Sequence, residues 1–289
     1  MLLELLVVRF ALVGHVAVDR RKFMAGLAVA IVSGVGMARW QVGAMPPVLA
    51  AATDAMPPVP PAFRLPGLLP PPGAEARIPL PGRGTLWSLP GTGDCLALTL
   101  DDGVDSDVVR MYTQFAKDTG LRFTYFVNGR YSSWRDNKDL LAPLVESGQI
   151  QLGNHTFSHP DLTTLTVKQA MDEINRNHDF LTKTYGVDTR PYLRPPYGAH
   201  NETVDAVAAG VGYTVMALWS GDLGDSNLIS EDAIVKAADR FFTPQTVVIG
   251  HMNHLPVTHV YGHFVDLIRD RQLRSVTLND IFAKSPSAT

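Results

Sequence analysis

The stretch "CLALTLDDG", residues 95–103, decides how this chain folds. From Cys95 to Leu100 every residue is apolar or β-branched, which is the composition of a strand buried on both faces. Two carboxylates, Asp101 and Asp102, follow at once. The same grammar recurs downstream. Further strand candidates are 123–127 "FTYFV", 150–152 "IQL", 192–193 "YL", 213–218 "YTVMAL", 246–249 "TVVI" and 274–276 "RSV". Helical stretches separate them. The clearest is 167–185, opened by the capping-box pair Thr166 and Gln169 and closed by Gly186. Another follows Ser230 and ends at Thr243-Pro244.

Strand, helix, strand, helix implies an α/β fold with a parallel sheet and helical crossovers. Seven strand candidates suit a barrel one unit short of eight, or an open wound sheet. In either, the functional groups belong at the C-terminal ends of the strands. The polar residues obey that rule. Asp101 and Asp102 follow the first candidate, His155 and His159 the third, and Arg194 the fourth. Asp222 and Asp225 follow the fifth, and His251 the sixth.

Outside this array the chain reads differently. Arg20 and Arg21 precede a run of small and apolar residues, Phe23 to Ala38, the pattern of an export signal of twin-arginine type. Residues 1–45 are therefore expected to be that signal, or a membrane anchor if it stays uncleaved. Glu4 and Arg9 interrupt the first apolar stretch, which argues against a clean spanning helix. Residues 46–93 are rich in proline and are expected to be an extended linker. The folded domain is expected over 94–289. The formal net charge of −3 carries no basic excess, so nucleic acid is not an expected partner. Cys95 is the only cysteine, which excludes an internal disulfide and any cysteine-based zinc site.

The chemistry begins with "GNHTFSHPD", residues 153–161. His155 and His159 are four apart, but Gly153, Asn154, Thr156 and Pro160 make poor helix material. A strand-end loop suits them better. Two histidines and Asp102 from a neighbouring strand end make three ligands with a position left open, the catalytic zinc arrangement. Zinc held in that way lowers the pKa of a water to about 7. Asp101, diverging from its neighbour, suits a general base, with Arg194 placed to hold its charge. His251 supplies the acid that hydrolysis of an amide or ester needs, and Asp222 is the expected partner that keeps it protonated. Asp225 reads either as part of that network or as a loop carboxylate. His259 and His263 repeat the spacing of the first histidine pair without an aspartate pair nearby, and read as surface residues.

The stretches "TLDDG" (99–103), "HTFSH" (155–159), "RPPYG" (194–198), "DLGD" (222–225) and "VIGH" (248–251) resemble, in order and spacing, the five motifs of the polysaccharide deacetylases, the NodB-homology group or carbohydrate esterase family 4. The resemblance implies a deformed (β/α)7-8 barrel and a divalent metal, zinc first, with cobalt or manganese as alternatives. It implies Asp102, His155 and His159 as metal ligands, Asp101 as base, Arg194 as the residue that tunes it, and His251 with Asp222 as the acid pair. The Tyr197 N–H is implied as oxyanion donor, with Pro196 and Asp225 on the substrate side. Four positions depart from the pattern. Leu100 stands for the usual Phe, Val104 for a Pro, Ser226 for a Trp that forms a groove wall, and Met252 for an Asp after the acid histidine.

The expected activity is removal of acetyl groups from an N-acetylated extracellular or cell-wall polysaccharide, with peptidoglycan N-acetylglucosamine favoured and chitin oligomers as an alternative. O-deacetylation of xylan by the same groups, a wall-binding protein of the same fold without turnover, and hydrolysis of non-carbohydrate amides are the rival expectations.

Overall fold

The computed structural model describes residues 63–80 and 82–283. The expected export signal and residues 46–62 of the expected linker lie outside them. In chain order the strands are β1 (Ile78–Pro79), β2 (Gly84–Leu86), β3 (Cys95–Asp102), β4 (Phe123–Val127), β5 (Ile150–Asn154), β6 (Tyr192–Leu193), β7 (Val215–Ala217), β8 (Gly221–Asp222), β9 (Val247–His251), β10 (Arg274–Val276) and β11 (Phe282–Ala283). The helices are α1 (Ser106–Thr119), α2 (Ser133–Asp136), α3 (Lys138–Glu146), α4 (Val167–Tyr185), α5 (Glu202–Gly210), α6 (Glu231–Phe241), α7 (Tyr261–Asp270) and α8 (Leu278–Ile281). Among the described residues no helix is long and apolar enough to cross a membrane.

Eight strands form one path in the order β2-β7-β6-β5-β4-β3-β9-β8, and β10 pairs with the first half of β3. Every pairing along the path is parallel, as helical crossovers require. An antiparallel bridge from Ser88 to Thr246 ties the chain after β2 to the start of β9, so the sheet curls back on itself. This is the deformed barrel, with one irregular seam where β2 and β8 stand in for full strands.

The period-2 alternation of β3 sorts its residues between two environments. Leu96, Leu98 and Leu100 join the layer under the helices, with Val108, Tyr112 and Ala116 of α1 and Phe264 and Ile268 of α7. Cys95 and Ala97 face the barrel interior with Phe126, Val215, Ala217 and Val247. The same side continues to Thr99 and Asp101. A strand buried along its whole length thus delivers one carboxylate into the mouth of the barrel. Burial of Cys95 pushes its thiol up to about 11, which fits an inert core residue.

The helix signals hold. Thr166 and Gln169 form the reciprocal capping box of α4, and Gly186 ends it at φ 71°. The Ser230 side chain caps α6 through the Ala233 N–H.

The linker reading needs correction. The domain does not begin at Asp94, because Gly84–Leu86 pairs with β7 and Leu86 and Leu89 are buried in the barrel interior. Further upstream, Leu68 is buried and the Leu65 N–H donates to Thr119 O at 2.8 Å, at the end of α1. Each of these pieces is too short, and too closely flanked by Gly and Pro, to show a hydrophobic period. The strand bounds also move: β3 runs on through Asp101 and Asp102, and β9 through His251.

Candidate active site

Arg194, just past β6, is completely buried, which would be costly for a lone cation. Its neighbours compensate it. Nη1 donates to Asp101 Oδ1 at 2.7 Å and to Thr99 Oγ1 at 2.9 Å. Nε donates to Ala217 O at 2.7 Å and Nη2 to Leu218 O at 3.2 Å. The guanidinium also lies over the Phe126 ring, 4.1 Å from its centroid. The two-pronged pair with Asp101 anticipated from the residue types is not formed. One N–H reaches the carboxylate because the remaining donors are taken by β3 and β7. Asp101 Oδ2 is left facing His155 Nε2 at 3.5 Å.

The three expected metal ligands converge. His155 Nε2 lies 3.5 Å and His159 Nε2 3.4 Å from Asp102 Oδ1, and one ligand atom from each residue fits within 4.8 Å of the others. Two ligand atoms about 2.0–2.1 Å from a tetrahedral metal sit about 3.4 Å apart, so this donor set fits zinc. The His155 tautomer fits too. Its Nδ1 lies 2.7 Å from Arg194 O, a carbonyl that can only accept, so Nδ1 carries the proton and Nε2 presents a lone pair.

The local backbone is bent to achieve this. Asp102, Thr156, His159 and Tyr197 are four of the six non-glycine residues with positive φ among the described residues. Such conformations cost about 1–2 kcal/mol each and concentrate where function over-determines the chain. Gly103, at φ 90°, lets the loop after β3 pass the indole of Trp134. A Cβ there would lie 2.4 Å from Trp134 Cζ2. The indole in turn donates from Nε1 to Asp102 O at 3.0 Å.

Buried side chains hold the histidine loop. Asn177, on the core face of α4, accepts from the Gly129 N–H at 2.9 Å and donates to Val127 O and Asn154 Oδ1 at 2.7 and 2.8 Å. Asn154 Oδ1 also accepts from the Thr156 N–H at 2.9 Å, and Asn128 donates to the carbonyls of His155 and Thr156. Glu173 of α4 accepts from both the N–H and the hydroxyl of Ser158 at 2.8 Å. The pair of histidines is therefore set by a loop fastened at several points and not by helical spacing.

On the strand beside β3, His251 ends β9 in register with Asp101. Its Nδ1 lies 3.0 Å from Asp225 Oδ1. Burial works against the imidazolium, but the Asp225 hydrogen bond and the nearby Asp101 carboxylate prevail, and the pKa of His251 rises to about 9. Asp222 was the expected partner and is not. It is exposed, and its Oδ1 accepts from the Gly224 N–H at 2.7 Å, shaping the turn that brings Asp225 beneath the histidine.

Asp101, Asp102, His155, His159 and His251 line a cleft of about 400 Å³ with Pro195, Tyr197, Gly198, Trp219, Asp222, Ser226 and Asn253, while Arg194 and Asp225 lie buried behind it. Pro196, expected on the substrate side, is buried behind Pro195 and is not part of the wall. Tyr197 is 70% exposed and its ring stands edge-on to His159 at 4.7 Å. Neither Pro195 nor Pro196 has an N–H, so the Tyr197 N–H is the first donor in its turn.

Residues 89–216 match the polysaccharide deacetylase family. Over that stretch the chain is similar to the polysaccharide deacetylases. It is 33% identical over 123 residues to the peptidoglycan-N-acetylmuramic acid deacetylase PdaA of Bacillus subtilis, covering 43% of this chain and 45% of that one. It is 26% identical over 196 residues to a peptidoglycan-N-acetylglucosamine deacetylase of Bacillus cereus, covering 66% and 69%. The solved family 4 carbohydrate esterase of Streptomyces lividans, in complex with acetate, superposes with a TM-score of 0.57 at 28% identity, covering 66% of this chain and 95% of that chain. The chain spans about half the length of several curated relatives it matches. The family match stops before β8, so the Asp225–His251 pair stands on geometry. His259 and His263 pair with Glu231 and Asp239 on the surface, away from the cleft, as read from the sequence.

Proposed function

We propose that this domain is a metal-dependent deacetylase acting on an N-acetylated extracellular polysaccharide, with peptidoglycan N-acetylglucosamine as the favoured substrate. The observation that carries the reading is the convergence in one cleft of Asp101, the triad Asp102–His155–His159, and His251 backed by Asp225. Hydrolysis of an amide needs a base for the attacking water and an acid for the leaving amine, and this set of residues offers a candidate for each.

In this mechanism Asp102, His155 and His159 would hold a divalent metal, zinc first. When bound, it supplies a Lewis acid that acidifies water and polarises the acetyl carbonyl. Asp101 Oδ2, free of Arg194, takes the proton of the attacking water. The carbonyl oxygen, as it gains charge, accepts from the Tyr197 N–H. His251, protonated below about 9 in the metal-free chain, gives its proton to the departing sugar nitrogen. Asp225 then orients the neutral ring and stabilises the cation when it reforms. Arg194 holds Asp101 by Oδ1, with Oδ2 left toward His155.

The peptidoglycan preference draws on the names of the two bacterial relatives and on the export signal expected at residues 1–45. Ser226, where the resemblance expects a tryptophan wall, leaves that side of the cleft open to a substituted glycan. Acetate release from peptidoglycan, chitin oligomers and acetylxylan, each measured side by side, tests the assignment. Release from peptidoglycan above the other two is the predicted order. Release from acetylxylan alone would replace the amide reading with an ester one, and no release from any would favour the binding-protein reading.

A further inference from the structure

Asn253 was not singled out by any motif, yet it occupies a decisive position. It lies two residues beyond the end of β9 and lines the cleft. Its Nδ2 donates to Asp102 Oδ2 at 2.7 Å. Its Oδ1 accepts, at 3.4 Å, from the N–H of Val104 on the loop after β3. An amide has one donor end and one acceptor end, so these two contacts fix which way round it stands. The two oxygens of Asp102 thereby have separate duties. Oδ1 faces both histidine Nε2 atoms at 3.5 and 3.4 Å, and Oδ2 is held by Asn253.

We propose that Asn253 is a positioning residue that keeps Asp102 a one-oxygen metal ligand and so tunes the site toward metals of low coordination number. A carboxylate free at both oxygens can close on a metal as a two-pronged ligand, adding one oxygen to its shell. That suits ions that favour a larger oxygen shell, such as manganese, and works against four-coordinate zinc with a position left open. The amide of Asn253 occupies the second oxygen and leaves two nitrogens and one oxygen for the metal. Outer partners of this kind change metal affinity by about 10–100-fold when removed.

The inference rests on the metal site of the proposed function, but its test needs no glycan. Zn²⁺ and Mn²⁺ binding to the full chain is measured by competition with a chelator, alongside the visible spectrum of the Co²⁺ form. In Asn253→Ala the preference for zinc over manganese should fall by roughly tenfold or more. The Co²⁺ bands should weaken as the coordination number rises. Asn253→Leu keeps the volume while removing the donor, and should show the same change in a chain whose packing is preserved. An unchanged zinc-to-manganese ratio and Co²⁺ spectrum in these variants would overturn the proposal, even if KM for a glycan rose, since that pattern marks a substrate contact alone. A chain that binds zinc as predicted and releases no acetate would overturn the proposed function and leave this inference standing.

Discussion

At the scale of single residues, the two carboxylates of "LDD" have separable fates. Asp101→Asn should retain the metal and lose activity by about 10²–10⁴-fold, because it removes a base and no ligand. His155→Ala should lose the metal itself, which elemental analysis of the purified variant would show. Near-parental turnover in Asp101→Asn would remove that residue from the mechanism. Asp225 and Asp222 give a second contrast. The Asp225 carboxylate raises the pKa of His251, so the acid form is present below about 9 and lost as pH rises through that value. Asp225→Asn should therefore move the alkaline limb of the pH–activity profile to lower pH, and a bound dication shifts the parent in the same direction. Asp222→Asn should leave the limb in place, and a shift there instead would reverse the assignment. Sequence spacing could not separate these two, since both follow the fifth strand candidate. The turn at Gly224, φ 71°, decides between them by folding Asp225 back under the histidine. Asn253 was illegible for a plainer reason: an asparagine in a loop carries no periodicity and belongs to no motif.

At the scale of elements, α4 does more than cover the sheet. Ala170, Ile174, Asn177, Phe180 and Leu181 form its buried stripe, and one of the five is polar. A polar residue in an otherwise apolar phase is the available signal, but the capping and period of the helix read the same without it. Asn177 satisfies Val127 O, the Gly129 N–H and Asn154 Oδ1 beside the histidine loop. Asn177→Leu would leave the Gly129 N–H buried without that partner and take one hydrogen bond each from Val127 O and Asn154 Oδ1, at a cost of roughly 3 kcal/mol in denaturant unfolding. It should also weaken zinc binding without touching a ligand. Loss of stability with unchanged zinc affinity would confine the residue to a packing role. The strand-end histidines, by contrast, were legible at once, because poor helix formers around them excluded the alternative.

At the scale of the whole domain, the parallel βα array was readable from alternation alone. Its seam was not. The short β2 and the bridge at Ser88 carry little hydrophobic pattern, yet Leu86 and Leu89 fill the barrel interior. A chain begun at Asp94, where the sequence suggested the domain starts, should lose cooperative melting or melt at least about 10 °C lower, since it removes two buried leucines worth about 2–5 kcal/mol each from the core. A chain begun at Phe63 should melt like the parent. Equal melting of the two would show the seam to be dispensable. The central claim, that the cleft works through a metal held by Asp102, His155 and His159, has a direct measurement. It is acetate release from N-acetylated peptidoglycan before chelation, after it, and after zinc is returned. Chelation should abolish release and zinc should restore it; undiminished release from the metal-free chain would contradict the account.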